Sequence, residues 1–195
     1  TSRAEYRTLL RQDNADLRLT ERSFNLGLAN EDRLEAVHKK IKDTAQLLNF
    51  YQTTSITPQE ANPFLNEKNS APIKQSDKMV KIYSRPNIGQ AEMLQVEKVS
   101  SFISAHNFSQ EVQEQVEIQI KYAGYIEKEK QNADKLNRLE AVKIPDNFDY
   151  HNLASLSHEA KEKLSKIQPK TISQASRISG INPSDISVLL VKLGR

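Results

Sequence analysis

Residues 109–142 read SQEVQEQVEIQIKYAGYIEKEKQNADKLNRLEAV, and no other stretch narrows the choice of fold so far. Val112, Val116, Ile120, Ala123, Ile126, Ala133 and Leu136 recur at helical spacing, which predicts one long helix with a single apolar stripe. Ser109 starts it and Pro145 ends it. A helix of this kind depends on other elements covering its stripe, and the rest of the chain offers capped helices. Ser2 and Glu5 have capping-box spacing, Asp13 or Asn14 can cap a second helix that Gly27 closes, and Asn30 can cap a third. In the third, Leu34, Val37, Ile41, Ala45 and Leu48 share a predicted face, and the helix is expected to end near Tyr51.

Residues 53–77 shift to Thr, Ser, Asn, Gln and Pro and read as an exposed connection, with a short helix start at Thr57 where Pro58 takes the first helical position. Residues 77–84 look helical until Pro86 forces Arg85 out of the helical region, and a further helix is predicted over 88–104. The stretch IPDNFDYHNL is turn-like. Beyond it, Ser157, Thr171 with Gln174, and Asn182 with Pro183 mark short helices over 157–167, 171–179 and 183–192, with Gly180 as a stop. No strand pattern or repeat rises above this background. The predicted class is all-α, a multi-helix region with one long central helix and a small C-terminal three-helix tail. Its predicted segments are an arginine-rich helical segment over 1–56, a connection plus long-helix bundle over 57–145, and a tail for partner docking over 146–195.

Composition limits the chemistry such a bundle can hold. Cysteine is absent, which excludes disulfides and thiolate chemistry, and His38, His106, His151 and His158 lack metal-ligand spacing. The five glycines form neither G-x-G-x-x-G nor G-x-x-x-x-G-K-[ST], and no G-x-S-x-G marks a nucleophile, so no catalytic residue is assigned. No apolar run reaches the roughly 18 residues of a membrane span and no signal peptide opens the chain, so a cytoplasmic location is expected. A net charge of +3 does not by itself demand nucleic acid. Local clustering of cations decides that question.

Two clusters stand out. Arg3, Arg7 and Arg11 are four apart, so a helix through them would align their guanidiniums along one side, and Arg18 and Arg22 continue the series. A solvated face paired with Glu5, Asp13, Asp16 and Glu21 is the alternative, but arginine without lysine in this stretch favours recognition of phosphate or carboxylate. In KYAGYIEKEK, Lys121, Tyr122, Tyr125, Lys128 and Lys130 interleave aromatic and cationic groups, which suits RNA or a cofactor. Half-buried tyrosines with lysines paired to Glu127 and Glu129 would give the same pattern. Gly124 costs such a helix about 1 kcal/mol relative to alanine, which suggests a close approach to the backbone.

The tail SRISGINPSDI has helix-turn-helix spacing, yet its last helix reads NPSDISVLLVKLGR, with Asp185 near the start. A groove reader presents polar and basic groups there. Ile186, Val188, Leu189, Leu190 and Val191 instead make the helix apolar over most of its circumference, which favours a protein docking surface.

The opening TSRAEYRTLLRQDNADLRLT, the central VEIQIKYAGYIEKEK with KIPDNFDY, and the tail IQPKTISQASRISGINPSDISVLLVKL together resemble the C-terminal part of the glucose-inhibited division protein A family. The resemblance runs nearly end to end and is loosest over 53–80. It implies the large, flavin-containing subunit of a bacterial enzyme that installs 5-carboxymethylaminomethyl on the wobble uridine of tRNA, with FAD and NADH as cofactors. It also implies a homodimer and a separate GTPase subunit as partner. Without a glycine-rich loop or cysteine, these residues are expected to follow the flavin domain in a longer chain and to retain neither cofactor. Arg3, Arg7, Arg11 and Arg18 match the family's arginine-bearing segment, and Lys121, Tyr122, Gly124 and Tyr125 match its K-Y-x-G-Y motif. The expected tRNA-binding set is Arg3, Arg7, Arg11, Arg18, Lys121 and Tyr125. The motif continues here as EKEK where the family is more basic, so Lys128 and Lys130 are left out of that set. The terminal helix is expected to meet the GTPase. An independent helix-turn-helix-like DNA-binding or adaptor protein is the alternative.

Overall fold

The computed structural model describes residues 6–194, apart from the side chain of Leu136. Arg3 and the spacing of Ser2 with Glu5 lie outside the described residues. Two compact units divide the chain between Glu127 and Lys128.

In the first unit, a single 3-10 turn (Gln12–Asn14) leads into α1 (Ala15–Asn25), and α2 (Glu31–Thr53) follows. The Asn30 side chain accepts a hydrogen bond from the Arg33 amide at 3.1 Å, satisfying one of the free donors at the start of α2. Next come β1 (Ser55–Ile56), α3 (Pro58–Glu67), β2 (Asp77–Lys78) and α4 (Met79–Tyr83), with β1 and β2 antiparallel. The helices α5 (Gln90–Met93), α6 (Glu97–His106) and α7 (Gln110–Lys121) complete it. The helix α2 packs against α1, α4 and α7. Leu47, Tyr51, Phe64, Leu65, Ile82, Tyr83 and Val116 form its core, each fully buried or nearly so. Each such side chain contributes roughly 1.5–3 kcal/mol on burial.

The structure corrects several expectations in this unit. Residues 6–10 form a turn, with Tyr6 left-handed at φ 58° and the Leu9 and Leu10 amides both donating to the Tyr6 carbonyl at 2.9 Å, so no helix joins Arg7 to Arg11. The buried line of α2 runs through Val37, Thr44, Leu47 and Tyr51, while Ile41 is 46% exposed and Ala45 is also exposed. Residues 53–77 are no exposed connection, because Ile56, Ala61, Phe64 and Leu65 enter the core. The helix expected over 88–104 is two helices, since Val96 is extended at φ −81°, ψ 113°. The long central helix is likewise divided: α7 ends at Lys121, Tyr122 leaves helical geometry at φ −104°, ψ 11°, and α8 (Ala123–Ala141) follows.

The division between units falls within α8. In the second unit lie α9 (His158–Ile167), α10 (Ile172–Ser176) and α11 (Pro183–Lys192). Ser157 and Thr171 cap α9 and α10, their hydroxyls accepting from the Ala160 and Gln174 amides at 3.2 Å. Ile144, Tyr150, Leu156, Leu164, Ile172 and Leu189 lead its core. Two backbone bonds clip the chain across it: the Ile144 amide donates to the Lys170 carbonyl at 2.9 Å and the Ile172 amide to the Val142 carbonyl at 3.0 Å. Gly180 is required where it stands, because its φ is +92° and a Cβ there would lie 2.1 Å from Glu159 Oε1.

Candidate nucleic-acid interface

The arginine segment is held by α7. Gln115, almost completely buried, donates through Nε2 to the Asp13 carbonyl at 2.9 Å and to Asp13 Oδ2 at 2.8 Å. Arg11 grips the same carboxylate from the other side, with Nε to Oδ1 and Nη2 to Oδ2 both at 3.0 Å, while its Nη1 donates to the Thr8 carbonyl at 2.8 Å. Burial alone would raise the Asp13 pKa, but the hydrogen bonds from Arg11 and Gln115 hold it below the ordinary value. The forked edge of Arg11 is therefore occupied inside the protein. Arg18 stays exposed on α1, with Nε donating to Asn14 Oδ1 at 2.9 Å. Arg7 is exposed, and no hydrogen bond or ion pair engages its guanidinium among the described residues.

The KYAGY motif splits into an inner and an outer part. Lys121 Nζ donates to the carbonyls of Arg85 and Ile88 and sits 5.7 Å from the centre of the Tyr83 ring, bracing the turn that Pro86 makes. Burial lowers its pKa, against the opposing pull of Glu117 and Glu92. Tyr83 is in turn fixed by its hydroxyl, which donates to Gln90 Oε1 at 2.6 Å. Tyr122 and Tyr125 point the other way, 52% and 70% exposed, with ring centres 6.3 Å apart and planes tilted by 52°. They line a groove of about 590 Å³ with Arg7, Thr8, Arg11 and Ile118. Two arginines enter that lining and no carboxylate does. A Cβ added at Gly124 would meet nothing within 4 Å, so the close approach this glycine suggested does not come from the described residues. Lys128 and Lys130 form no ion pair among the described residues, unlike the pairing considered for them.

Of the expected tRNA-binding set, the structure thus brings Arg7, Arg11 and Tyr125 to one groove, leaves Arg18 outside its lining, and turns Lys121 inward. Sequence reasoning missed Thr8, Ile118 and the anchor Gln115. A glutamine beside Val116 on the stripe of α7 was the available signal for the anchor, since a buried amide there needs polar partners.

In the second unit, the apolar residues of α11 are mostly covered. Ile186 and Leu189 are buried, Val188 and Leu190 pack partly against the same core, and Val191 is 77% exposed. Ile186 and Leu190 also line a groove of about 430 Å³ with Leu139, Ile181, Asn182 and Pro183 among others. Asp185, 2% exposed, accepts from the Asn182 amide at 3.0 Å, the Ser157 amide at 3.1 Å and the Ser157 hydroxyl at 3.3 Å. One carboxylate therefore caps α11 and ties it to the start of α9. A groove reader would need donors at that point, so this end of α11 is unsuited to bases.

Among the described residues, the one glycine that directly precedes a helix is already engaged and offers no free amide for a flavin phosphate. At the start of α5, where Gly89 stands directly before the helix, its amide already donates to Glu92 Oε2 at 2.7 Å. Among the described residues no group of three or more His, Asp or Glu side chains is placed to hold a metal, and no helix is long and apolar enough to cross a membrane.

These features define an all-α region of two helical units, the first carrying a basic, aromatic groove. Residues 31–130 match the family model described as the tRNA modifying enzyme MnmG/GidA C-terminal helical domain, and residues 132–195 match the C-terminal helical bundle of the same enzyme. The chain belongs to the MnmG/GidA family. It is 59% identical over its whole length to the tRNA uridine 5-carboxymethylaminomethyl modification enzyme MnmG of Christiangramia forsetii, and 62% identical to that of Flavobacterium johnsoniae. It spans 31% of the length of each of these relatives. Its structure is similar to that of Aquifex aeolicus GidA in the form II crystal, with 32% identity and a TM-score of 0.57 over 95% of this chain and 28% of that one.

Proposed function

We propose that this chain is the helical C-terminal part of a tRNA-modifying flavoenzyme that installs 5-carboxymethylaminomethyl at the wobble uridine, and that its first unit contributes to tRNA binding. In this reading FAD and NADH belong to the remaining length of the protein, which works in the cytoplasm as a homodimer. Family membership supports the reaction class. The observation that carries the RNA role is Arg7, without a partner among the described residues, beside the exposed Tyr122 and Tyr125 in one groove. Cations that grip phosphate together with exposed aromatic faces are what a flexible strand of RNA requires. Arg7 and Arg18 serve phosphates, Arg11 orders the segment through Asp13, and Lys121 braces the turn beneath the motif. The groove beside α11, with Leu190 on its wall and Val191 exposed next to Leu190 in sequence, is proposed as the docking place of the GTPase subunit.

The test is tRNA affinity of the full-length protein across a salt series. Arg7→Ala should weaken binding and flatten the slope of log affinity against log salt by about 0.7–0.9 for the phosphate contact removed. An unchanged slope in the folded variant rejects Arg7 as a phosphate ligand.

A further inference from the structure

The geometry points to Tyr125 as a stacking platform for one unpaired nucleobase, with Tyr122 as its back wall; this rests on the RNA role proposed for the groove and narrows it to single-stranded RNA. An exposed tyrosine at a helix surface is ordinary, but several features here act together. Tyr125 and Tyr122 are three positions apart across the step from α7 to α8, so both rings emerge on one side. Their centres are 6.3 Å apart and their planes tilt by 52°, so they make a tilted contact and leave no parallel slot for a flat ring between them. That contact steadies the Tyr125 ring while 70% of the residue stays open to solvent. A base therefore has one face to stack on, the outer one.

The surroundings suit a nucleotide better than an aliphatic partner. Arg7, without a partner among the described residues, can meet the phosphate that accompanies a base, and Arg11 and Thr8 complete a wall to which no described carboxylate contributes. The groove's volume of about 590 Å³ falls within the roughly 300–1,000 Å³ of sites that hold small molecules. Gly124 lies between the tyrosines in sequence, and the space where its Cβ would stand is empty to 4 Å, so a backbone or sugar can come close there. A paired base has its faces covered by its neighbours in the stack, so this platform selects a base outside a duplex.

The experiment uses the full-length protein, an RNA hairpin carrying 2-aminopurine in its unpaired loop, and a duplex of the same stem without a loop. Wild type should quench the 2-aminopurine on binding. Tyr125→Leu should weaken hairpin binding roughly 5- to 150-fold and remove the quench, while Tyr125→Phe keeps both, because stacking needs the ring and not the hydroxyl. Duplex affinity should be equal in all three proteins. Wild-type hairpin affinity and quench in Tyr125→Leu overturn the platform, and so does an equal loss on hairpin and duplex. If wild type binds hairpin and duplex but Tyr125 variants change nothing, the platform alone falls. If wild type binds neither RNA, the RNA role of the groove falls with it.

Discussion

The groove of the first unit and the terminal helix α11 of the second treat their hydrophobic groups in opposite ways. At the groove, large aromatic rings stand out in solvent beside a cation with no partner among the described residues, and the inward side of the same motif is fixed by Lys121 on two carbonyls. On α11, aliphatic side chains are drawn in, and a buried carboxylate holds the helix start. The difference teaches that a run of apolar residues is weak evidence for a partner surface when its own unit supplies a core. Exposed rings left beside an unneutralised guanidinium are stronger evidence, because nothing among the described residues of the unit accounts for either.

The largest expected effect tests the inward half of that contrast. Leu189 is fully buried, so Leu189→Ala should destabilise the second unit by about 2–5 kcal/mol in urea unfolding of the full-length protein followed by hydrogen exchange in α11. A loss under about 1 kcal/mol would mean that α11 is a surface helix after all. Next in size is Asp185→Asn, with an expected cost of about 1–3 kcal/mol at neutral pH, since the amide can accept only part of what the carboxylate accepts. Burial alone would raise the Asp185 pKa, but the Ser157 and Asn182 donors depress it. A depressed folded pKa contributes stability above the unfolded carboxylate value, and that contribution is lost as the pH falls through the folded value. The fall of wild-type thermal stability at acid pH should therefore include a contribution from Asp185, and Asp185→Asn should make that limb shallower. A parallel limb in the variant would remove Asp185 as its source.

The smallest expected change sharpens the outward half. Lys121→Met should lower stability by about 1–2 kcal/mol, because the carbonyls of Arg85 and Ile88 lose their donor. The salt slope of tRNA binding should stay as in wild type, in contrast to Arg7→Ala. A flattened slope would return Lys121 to the set of phosphate contacts.

Helix starts were the most legible part of the fold, because a cap is a local event. Asn30, Ser109, Ser157 and Thr171 each accept from the backbone amide three residues on, as their positions predict. The all-α class followed from the same signals. What the sequence hid was tertiary. Ile56, Phe64 and Leu65 lie among polar residues, so composition reads them as a connection, although the core takes all three. Positions 41 and 44 of α2 are both compatible with a helical stripe, and packing, which is not a property of one helix, chose Thr44. The site was half legible for a similar reason. Residue types named the arginines and tyrosines, but only the fold reveals that Asp13 occupies Arg11 and that Lys121 and Tyr125 face apart.

The pair of backbone bonds between residues 142–144 and 170–172 makes everything between them a tethered insert. Its ends are fixed a single strand-width apart, so the cost of closing it depends only weakly on its length, at roughly 0.6 kcal/mol for each doubling. Closure therefore sets little limit on the length of the insert, and the limit comes instead from Tyr150, Leu156 and Leu164, which the insert contributes to the core. The clip itself has no such latitude. A slip of one residue on either side would turn Ile144 or Ile172 out of the core they now share, so tolerance to length change should end abruptly at those two positions.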